Sequence, residues 1–403
     1  MRKLRVGVWL NEELNPQTGG GFSYYRHLLS EIQQFAFKNA DIIYLSNNRK
    51  AKQSDSVYFI KWKPNIWLSA IVKVTDVLKN FAFLRKICLY AENLKKQHNQ
   101  KLKSELDRRI DVIYYLSPIC SYPDYPYIYT LWDIGHLSSY AFPEVSMNQN
   151  FEFRRINDDY FTYKALMVFT ESNSGKQDAI KYLNINENRI KVVPIFPSEI
   201  ISQEIAIVKP KNVDTDLFFI HYPAQYWAHK NHFNLLRAFP ELLNEHPNLK
   251  LILTGSDHGN KKYVAQIIQD LKLTDAIIDL GFVTIEELKW LYLNSKGLVM
   301  PTFMGPTNMP LLEAAELGCP VACSNLPGHT EQLGNYGYYF DPKSPKDIAM
   351  QINQMILNNQ KGFVNSYISE FNIQNTLIAI DNAFAEISTI RFCWGTNEEI
   401  LTA

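Results

Sequence analysis

Residues 300–321 read Met-Pro-Thr-Phe-Met-Gly-Pro-Thr-Asn-Met-Pro-Leu-Leu-Glu-Ala-Ala-Glu-Leu-Gly-Cys-Pro-Val. A short apolar strand enters a polar turn with Gly and Pro, and a helix opens near Pro310 and closes at Gly318. Pro suits a first helical turn and Gly a C-cap. The backbone N–H groups of Asn308 and Met309 at such a helix start are expected to bind a diphosphate, each charge–dipole contact contributing about 0.3–1 kcal/mol. Glu313, about one turn further in, is placed to accept hydrogen bonds from a ribose diol. On spacing alone, an ordinary strand–turn–helix with a solvent-facing Glu is the stronger description. A second candidate is Thr18-Gly19-Gly20-Gly21, between a first strand and a helix. Its glycines would let the backbone approach a ligand closely, although it is not a G-x-G-x-x-G. The five cysteines are widely spaced and odd in number, so they fit no disulfide framework. No second Cys or His pair lies near Cys319 and Cys323, so no metal is expected.

Set beside three further segments, residues 300–321 resemble the donor-binding motif of the GT-B retaining glycosyltransferases, specifically family 4 (glycosyl transferases group 1), which use nucleotide sugars. That family's usual form is a Glu, seven residues, a second Glu, then Ala and a Gly-x-Pro-Val strand. Glu313, Ala314, Gly318, Pro320 and Val321 match it, and Gly305 replaces the first Glu, which in the family contacts the donor sugar. Tyr222-Pro-Ala-Gln-Tyr-Trp-Ala-His-Lys-Asn-His232 resembles the turn where the family places an Arg and a Lys five apart on the diphosphate. Lys230 matches the Lys; Gln225 stands at the Arg position. A phosphate–Lys contact is a charge-assisted hydrogen bond. Gly281-Phe282-Val283 resembles the base-binding loop, with Phe282 or Val283 beside the nucleobase; a plain core aromatic is the equal alternative. Gly19, Gly20 and Gly21 correspond to the loop lying against donor phosphates and acceptor. Thr130–Leu137, followed by Phe142-Pro143-Glu144, resembles the His-Asp segment: Trp132 replaces the His that contacts the donor sugar, while Asp133 and His136 keep their places. His136 reads equally as a structural histidine. Thr170–Asp178 and Ile190–Pro194 complete the match, which spans most of residues 5–356.

The resemblance implies transfer of a sugar from a nucleoside-diphosphate sugar to a glycan or lipid-linked acceptor, with retention, in cell-surface polysaccharide or glycoconjugate synthesis. It implies no metal and no cofactor, since helix dipoles and cations stabilise the leaving diphosphate. Asp133, His136 and Lys230 are the implied catalytic set. Gly19, Gly20, Gly21, Gln225, Lys230, Phe282, Gly305, Asn308, Met309 and Glu313 are the implied donor site. The departures Trp132, Gln225 and Gly305 all fall where the family reads the donor. They keep open a subgroup with its own sugar, or a catalytically weak or inactive nucleotide-sugar binder. A nucleotide-sugar epimerase would need cleft carboxylates for acid–base chemistry, and no convincing set is legible. Asp214-Thr215-Asp216 is a D-x-D, the metal motif of the other major glycosyltransferase fold, but it precedes a strand from a linker and reads as solvated.

Apolar runs alternating with helix-period segments must position these residues, the pattern of an α/β fold with parallel sheets. Strands are expected at Arg5–Leu10, Asp41–Leu45, Val112–Leu116, Tyr127–Leu131, Ala165–Thr170 and Lys191–Ile195. After an aperiodic linker from about Phe196 to Asp214, a second series is expected at Leu217–Ile220, Leu249–Thr254, Ala276–Leu280, Leu298–Met300 and Pro320–Cys323. Helices are expected at Phe22–Phe35, Asn231–Glu245, Lys262–Leu271, Ile285–Asn294, Met309–Leu317, Ser344–Leu357 and Thr376–Ile390. The expectation is two Rossmann-like domains facing across a cleft: an acceptor-side domain at 1–200 and a donor domain at 215–370, with the C-terminal helix of 374–403 packing back on the first. Ligands of such folds bind at the carboxyl ends of the strands.

The 403 residues, 46% hydrophobic and 20% charged, fit two or three globular domains and exclude wholesale disorder. Forty-one basic and 41 acidic residues cancel, which excludes a globally basic nucleic-acid binder. Residues 61–109, however, hold twelve Lys or Arg against four Asp or Glu, with apolar residues at helical spacing from Trp67 to Cys88. The stripe reads as packing on the first domain. The basic face reads equally as solvated or as a peripheral contact with an anionic membrane, where each Lys or Arg is worth about 1 kcal/mol. No run of 18 apolar residues and no signal h-region occurs, so a cytoplasmic protein, peripheral at the inner membrane face, is expected.

Overall fold

A strand covered on both faces reads as a continuous apolar run, and that is how most of this chain's strands are written. The computed structural model describes residues 2–11, 20–48, 57–60, 99–122, 124–139, 141–358 and 370–395. Gly19 and residues 61–98 of the basic segment lie outside them. The first sheet holds β1 (Leu4–Trp9), β2 (Ala40–Ser46), β3 (Val57–Phe59), β4 (Val112–Tyr115), β5 (Tyr127–Leu131), β6 (Met167–Thr170) and β7 (Ile190–Val192). They are parallel, in the order β3-β2-β1-β4-β5-β6-β7. The second holds β8 (Phe219–Pro223), β9 (Lys250–Thr254), β10 (Ile277–Gly281), β11 (Leu298–Met300), β12 (Val321–Ser324) and β13 (Gly337–Phe340). It is also parallel, in the order β10-β9-β8-β11-β12-β13. Each order reverses beside the sheet's first strand, between β1 and β4 and between β8 and β11. At such switch points a crevice opens outside the strand carboxyl ends.

Strand residues of β4, β5, β6, β11 and β12 are buried throughout. Two strands are not anticipated by the apolar runs. β3 is a three-residue, half-buried edge strand, and β13 is Gly-Tyr-Tyr-Phe with one fully buried residue. Neither carries enough burial to write a pattern. The helix Asn150–Lys164 is likewise unexpected, because it buries Asp158 and Thr162 while leaving Phe153 and Ile156 67% and 68% exposed. Its hydrophobic stripe is outside, the reverse of an ordinary surface helix.

The linker packs against the second lobe: Lys289 Nζ donates to Ser202 O at 2.6 Å and Ile205 O at 3.0 Å. Asp214 and Asp216 are exposed in the turn before β8. The final helix, Ile373–Arg391, returns to the first lobe. There Asp381 accepts the amides of Lys38 and Asn39 at 3.1 and 2.9 Å, and Phe384 packs against Phe37 and Tyr114. No helix among the described residues is long and apolar enough to cross a membrane.

Candidate active site

The loop 303–308, which follows β11, is gripped by both lobes. Ser172 Oγ donates to Pro306 O at 3.3 Å, and Thr307 Oγ1 donates to Glu171 Oε2 at 2.6 Å. Phe303 stacks on Phe142, with ring centroids 5.5 Å apart. Gly305 sits at φ +128°, where an L side chain is strained, and a Cβ there would stand 2.8 Å from Asn308 Nδ2. The position therefore excludes the Glu that the resembling family places there.

The helix Met309–Glu316 follows, as expected, but its N-terminal donors are largely committed. The Asn308 amide donates to Gln332 Oε1 at 2.9 Å, Pro310 has none, and Leu311 N donates to Asn308 O at 3.2 Å. Met309 keeps that turn's remaining N–H. The expected pair of amides for a diphosphate is thus reduced to one, because Gln332 fills the other. The Asn308 side chain is held by a neutral histidine. His329, buried and pushed down to about 4 by that burial, donates from Nδ1 to Ser324 O at 2.8 Å, so its Nε2 accepts from Asn308 Nδ2 at 2.9 Å. Asn308 Oδ1 is left facing Lys230 Nζ at 3.2 Å.

Lys230 is half-buried at the cleft floor, and Asn308 is its one hydrogen-bond partner among the described residues. Loss of water between the lobes pushes its ammonium down to about 8, against the opposing pull of Asp133 and Glu144. Those two carboxylates belong to the first lobe. Burial would raise the Asp133 carboxyl, but the Arg154 guanidinium at 2.6 Å and the Gly135 amide at 2.8 Å hold it below its ordinary value. Its side chain stays 37% exposed, so it lines a wet wall and is not sealed in the core. Burial also opposes ionisation of Glu144, but its bonds to the His229 amide at 2.8 Å and to His229 Nδ1 win, and its carboxyl is lowered.

Other expected site residues are placed elsewhere or differently. His136 is fully buried, its ring against Phe151 and its Nε2 3.7 Å from Asp158. Burial pushes it down to about 4, so it is a neutral interior residue that does not line the cleft. Both Glu313 oxygens are taken, one by the Ser198 hydroxyl and the other by Tyr292 OH at 2.9 Å. The carboxylate ties the linker to the donor-side helix instead of standing open to a ribose. Gln225 Oε1 accepts from Trp227 Nε1 at 2.9 Å. Phe282 is 75% exposed, which removes the core alternative: Gly281, at φ +66°, turns the chain outward beyond the edge strand β10. Gly20 and Gly21 open the helix Gly20–Gln34, and a Cβ on Gly21 would stand 2.7 Å from the Trp132 ring. Gly19 lies outside the described residues.

The sequence alone did not single out Glu171, Thr307, Glu144, His229, His329, Gln332 or Arg154 as functional. The paired occurrence of Asn308 with His329 and Gln332 in a Pro-Gly-His-Thr-Glu-Gln helix start was the available signal.

Two parallel α/β lobes closing on a polar crevice at their strand carboxyl ends define the GT-B architecture. In comparison with solved structures, the Anabaena protein HepE in complex with UDP aligns over 95% of this chain and 100% of its own, with a TM-score of 0.63 and 16% identity. The sequence family described as glycosyl transferases group 1 matches residues 203–366, the linker and most of the second lobe. An uncharacterized glycosyltransferase of Methanocaldococcus jannaschii is 28% identical over 204 residues, covering 48% of this chain and 52% of that protein. The O-antigen chain mannosyltransferase RfbU of Salmonella typhimurium is 25% identical over 222 residues, covering 54% and 59%. The chain thus spans about half the length of the curated relatives it matches.

Proposed function

We propose that the protein is a glycosyltransferase that moves a sugar, with retention, from a nucleoside-diphosphate sugar to a glycan or lipid-linked acceptor in polysaccharide synthesis. The observation that carries this reading is the group 1 match over residues 203–366, which falls on the lobe presenting Lys230 and Asn308 to the crevice. The O-antigen mannosyltransferase relative and the UDP complex of HepE support the same substrate class.

In this reading Lys230 and the Met309 amide meet the charge of the departing diphosphate without a metal. The acceptor oxygen bonds to the anomeric carbon on the face from which the phosphate oxygen leaves, and that phosphate oxygen takes the acceptor's proton. Exposed Phe282 lies beside the base, and Glu313 acts as a strut that sets the donor-side helix. Residues 61–109 supply contact with an anionic membrane carrying the acceptor.

The test is incubation with a panel of nucleotide sugars and sugar acceptors, with and without EDTA. Transfer that survives EDTA is expected; no transfer and no nucleotide binding overturns the reading. Binding without turnover is the second reading, favoured by the bare Gly305 position. Nucleoside-diphosphate binding with no glycosyl product would select it.

A further inference from the structure

The first lobe contributes a carboxylate to the crevice that neither the motif pattern nor the cation site uses. Glu171 follows β6 directly, and it is 8% exposed. One oxygen, Oε2, accepts the Thr307 hydroxyl of the opposite lobe at 2.6 Å. The other, Oε1, has no hydrogen-bond partner among the described residues. Strands β5 and β6 pair in register from Ile128 with Met167 to Leu131 with Thr170, which puts Trp132 beside Glu171 at the strand ends. The Trp132 indole N–H is buried and also unpartnered. A buried N–H without a partner is costly unless a ligand completes it, and the neighbouring strand end offers Glu171 Oε1 as an open acceptor.

Burial raises the Glu171 carboxyl to about 7, the Thr307 bond opposing and the Asp133 charge adding, whereas Arg154 holds Asp133 ionised. The two carboxylates therefore differ in environment although they share one wall. Thr307 lies two residues beyond Gly305, in the loop where a side chain is excluded. A polar ligand against that loop meets its carboxylate from across the cleft.

Resting on the glycosyltransferase reading, we propose that Glu171 is the residue by which the first lobe holds the hydroxyls of the donor's sugar, with the Trp132 N–H as its companion donor. Thr307 positions the carboxylate only while the lobes are closed, so sugar contact and lobe closure are one event.

The test measures binding of UDP, GDP, ADP and dTDP, and of the sugar conjugates of whichever binds, by titration calorimetry on the full chain. Glu171→Gln keeps the size and an acceptor for Thr307. It is expected to weaken the sugar conjugate about tenfold or more while changing diphosphate affinity less than about twofold. Thr307→Val should produce a smaller loss of the same selectivity, and melting curves of both variants establish that they fold. Equal affinities of the variant and wild type for the sugar conjugate, with diphosphate binding intact, overturn this inference alone. Wild-type protein that binds no nucleoside diphosphate overturns the functional reading and this inference with it.

Discussion

Lys230 concentrates what is chemically unusual about the crevice. An ammonium pushed down to about 8 is charged at pH 7 and neutral at pH 9. Only the charged form attracts a diphosphate, so nucleoside-diphosphate affinity is expected to fall as pH rises through 8, by at most about tenfold per unit. Lys230→Met should weaken binding at pH 7 and flatten that dependence; calorimetry at pH 7, 8 and 9 measures both. Glu313 predicts a stability effect instead. Its Ser198 and Tyr292 partners are buried hydroxyls, so Glu313→Ala orphans two donors and is expected to cost about 1–3 kcal/mol for each. Glu313→Gln, which keeps an acceptor, should lose less in a thermal melt. If both variants melt like the wild type, Glu313 is not the strut described.

At the scale of elements, the lobes meet through carboxylates laid on the other lobe's donors. The helix Asn173–Leu183 begins with an N-cap from its own Ser172 to Gly175, and Glu331 of the second lobe then covers the amides of Asn173 and Ser174 at 2.7 and 2.8 Å. A carboxylate at a helix start satisfies orphan N–H groups and the positive end of the dipole together. Glu331→Ala should therefore speed hydrogen exchange of the Asn173 and Ser174 amides without altering exchange in the buried strands β5 and β6. Unchanged exchange at those amides would show that the contact does not hold the lobes. The helix Asn150–Lys164 marks the limit of pattern reading. Its inward face is Asp158 and Thr162, chosen by the polar cluster around Arg154, so apolar periodicity does not reveal it. By contrast, Ile285–Asn294 is legible to the residue, with an apolar stripe and a Thr284–Glu287 capping box.

For the whole molecule, the chain order crosses the cleft twice, through the linker before β8 and through the return of helix Ile373–Arg391 to the first lobe. Asp381, buried in that helix, accepts two backbone amides and the Asn39 side chain, at 3.1, 2.9 and 3.1 Å, where β2 begins. Asp381→Ala leaves those donors without acceptors and is expected to destabilise the first lobe by about 1–3 kcal/mol or more. Because two lobes need not unfold as one, denaturation should show the first-lobe transition moving to lower denaturant and the second staying in place. A single transition shifted as a whole would mean that the lobes unfold together.

Most of the strands were legible because a parallel strand buried on both faces must be apolar along its length; β1, β5, β9 and β11 follow from that alone. The helix after Asn308 was legible from Pro at its start and Gly at its end, whereas the cation at 230 was singled out only by the resemblance of residues 222–232 to the family's phosphate turn. The identity of the groups that face each other was not legible. His136 and Glu313 keep motif positions yet point into the protein, and Glu171, given no role within the matched segment Thr170–Asp178, meets Thr307 across the crevice. Sequence spacing determines which strand end a residue occupies. Which residues face one another across the cleft is decided by how the two sheets pack, a contact between positions 136 residues apart that no local pattern records.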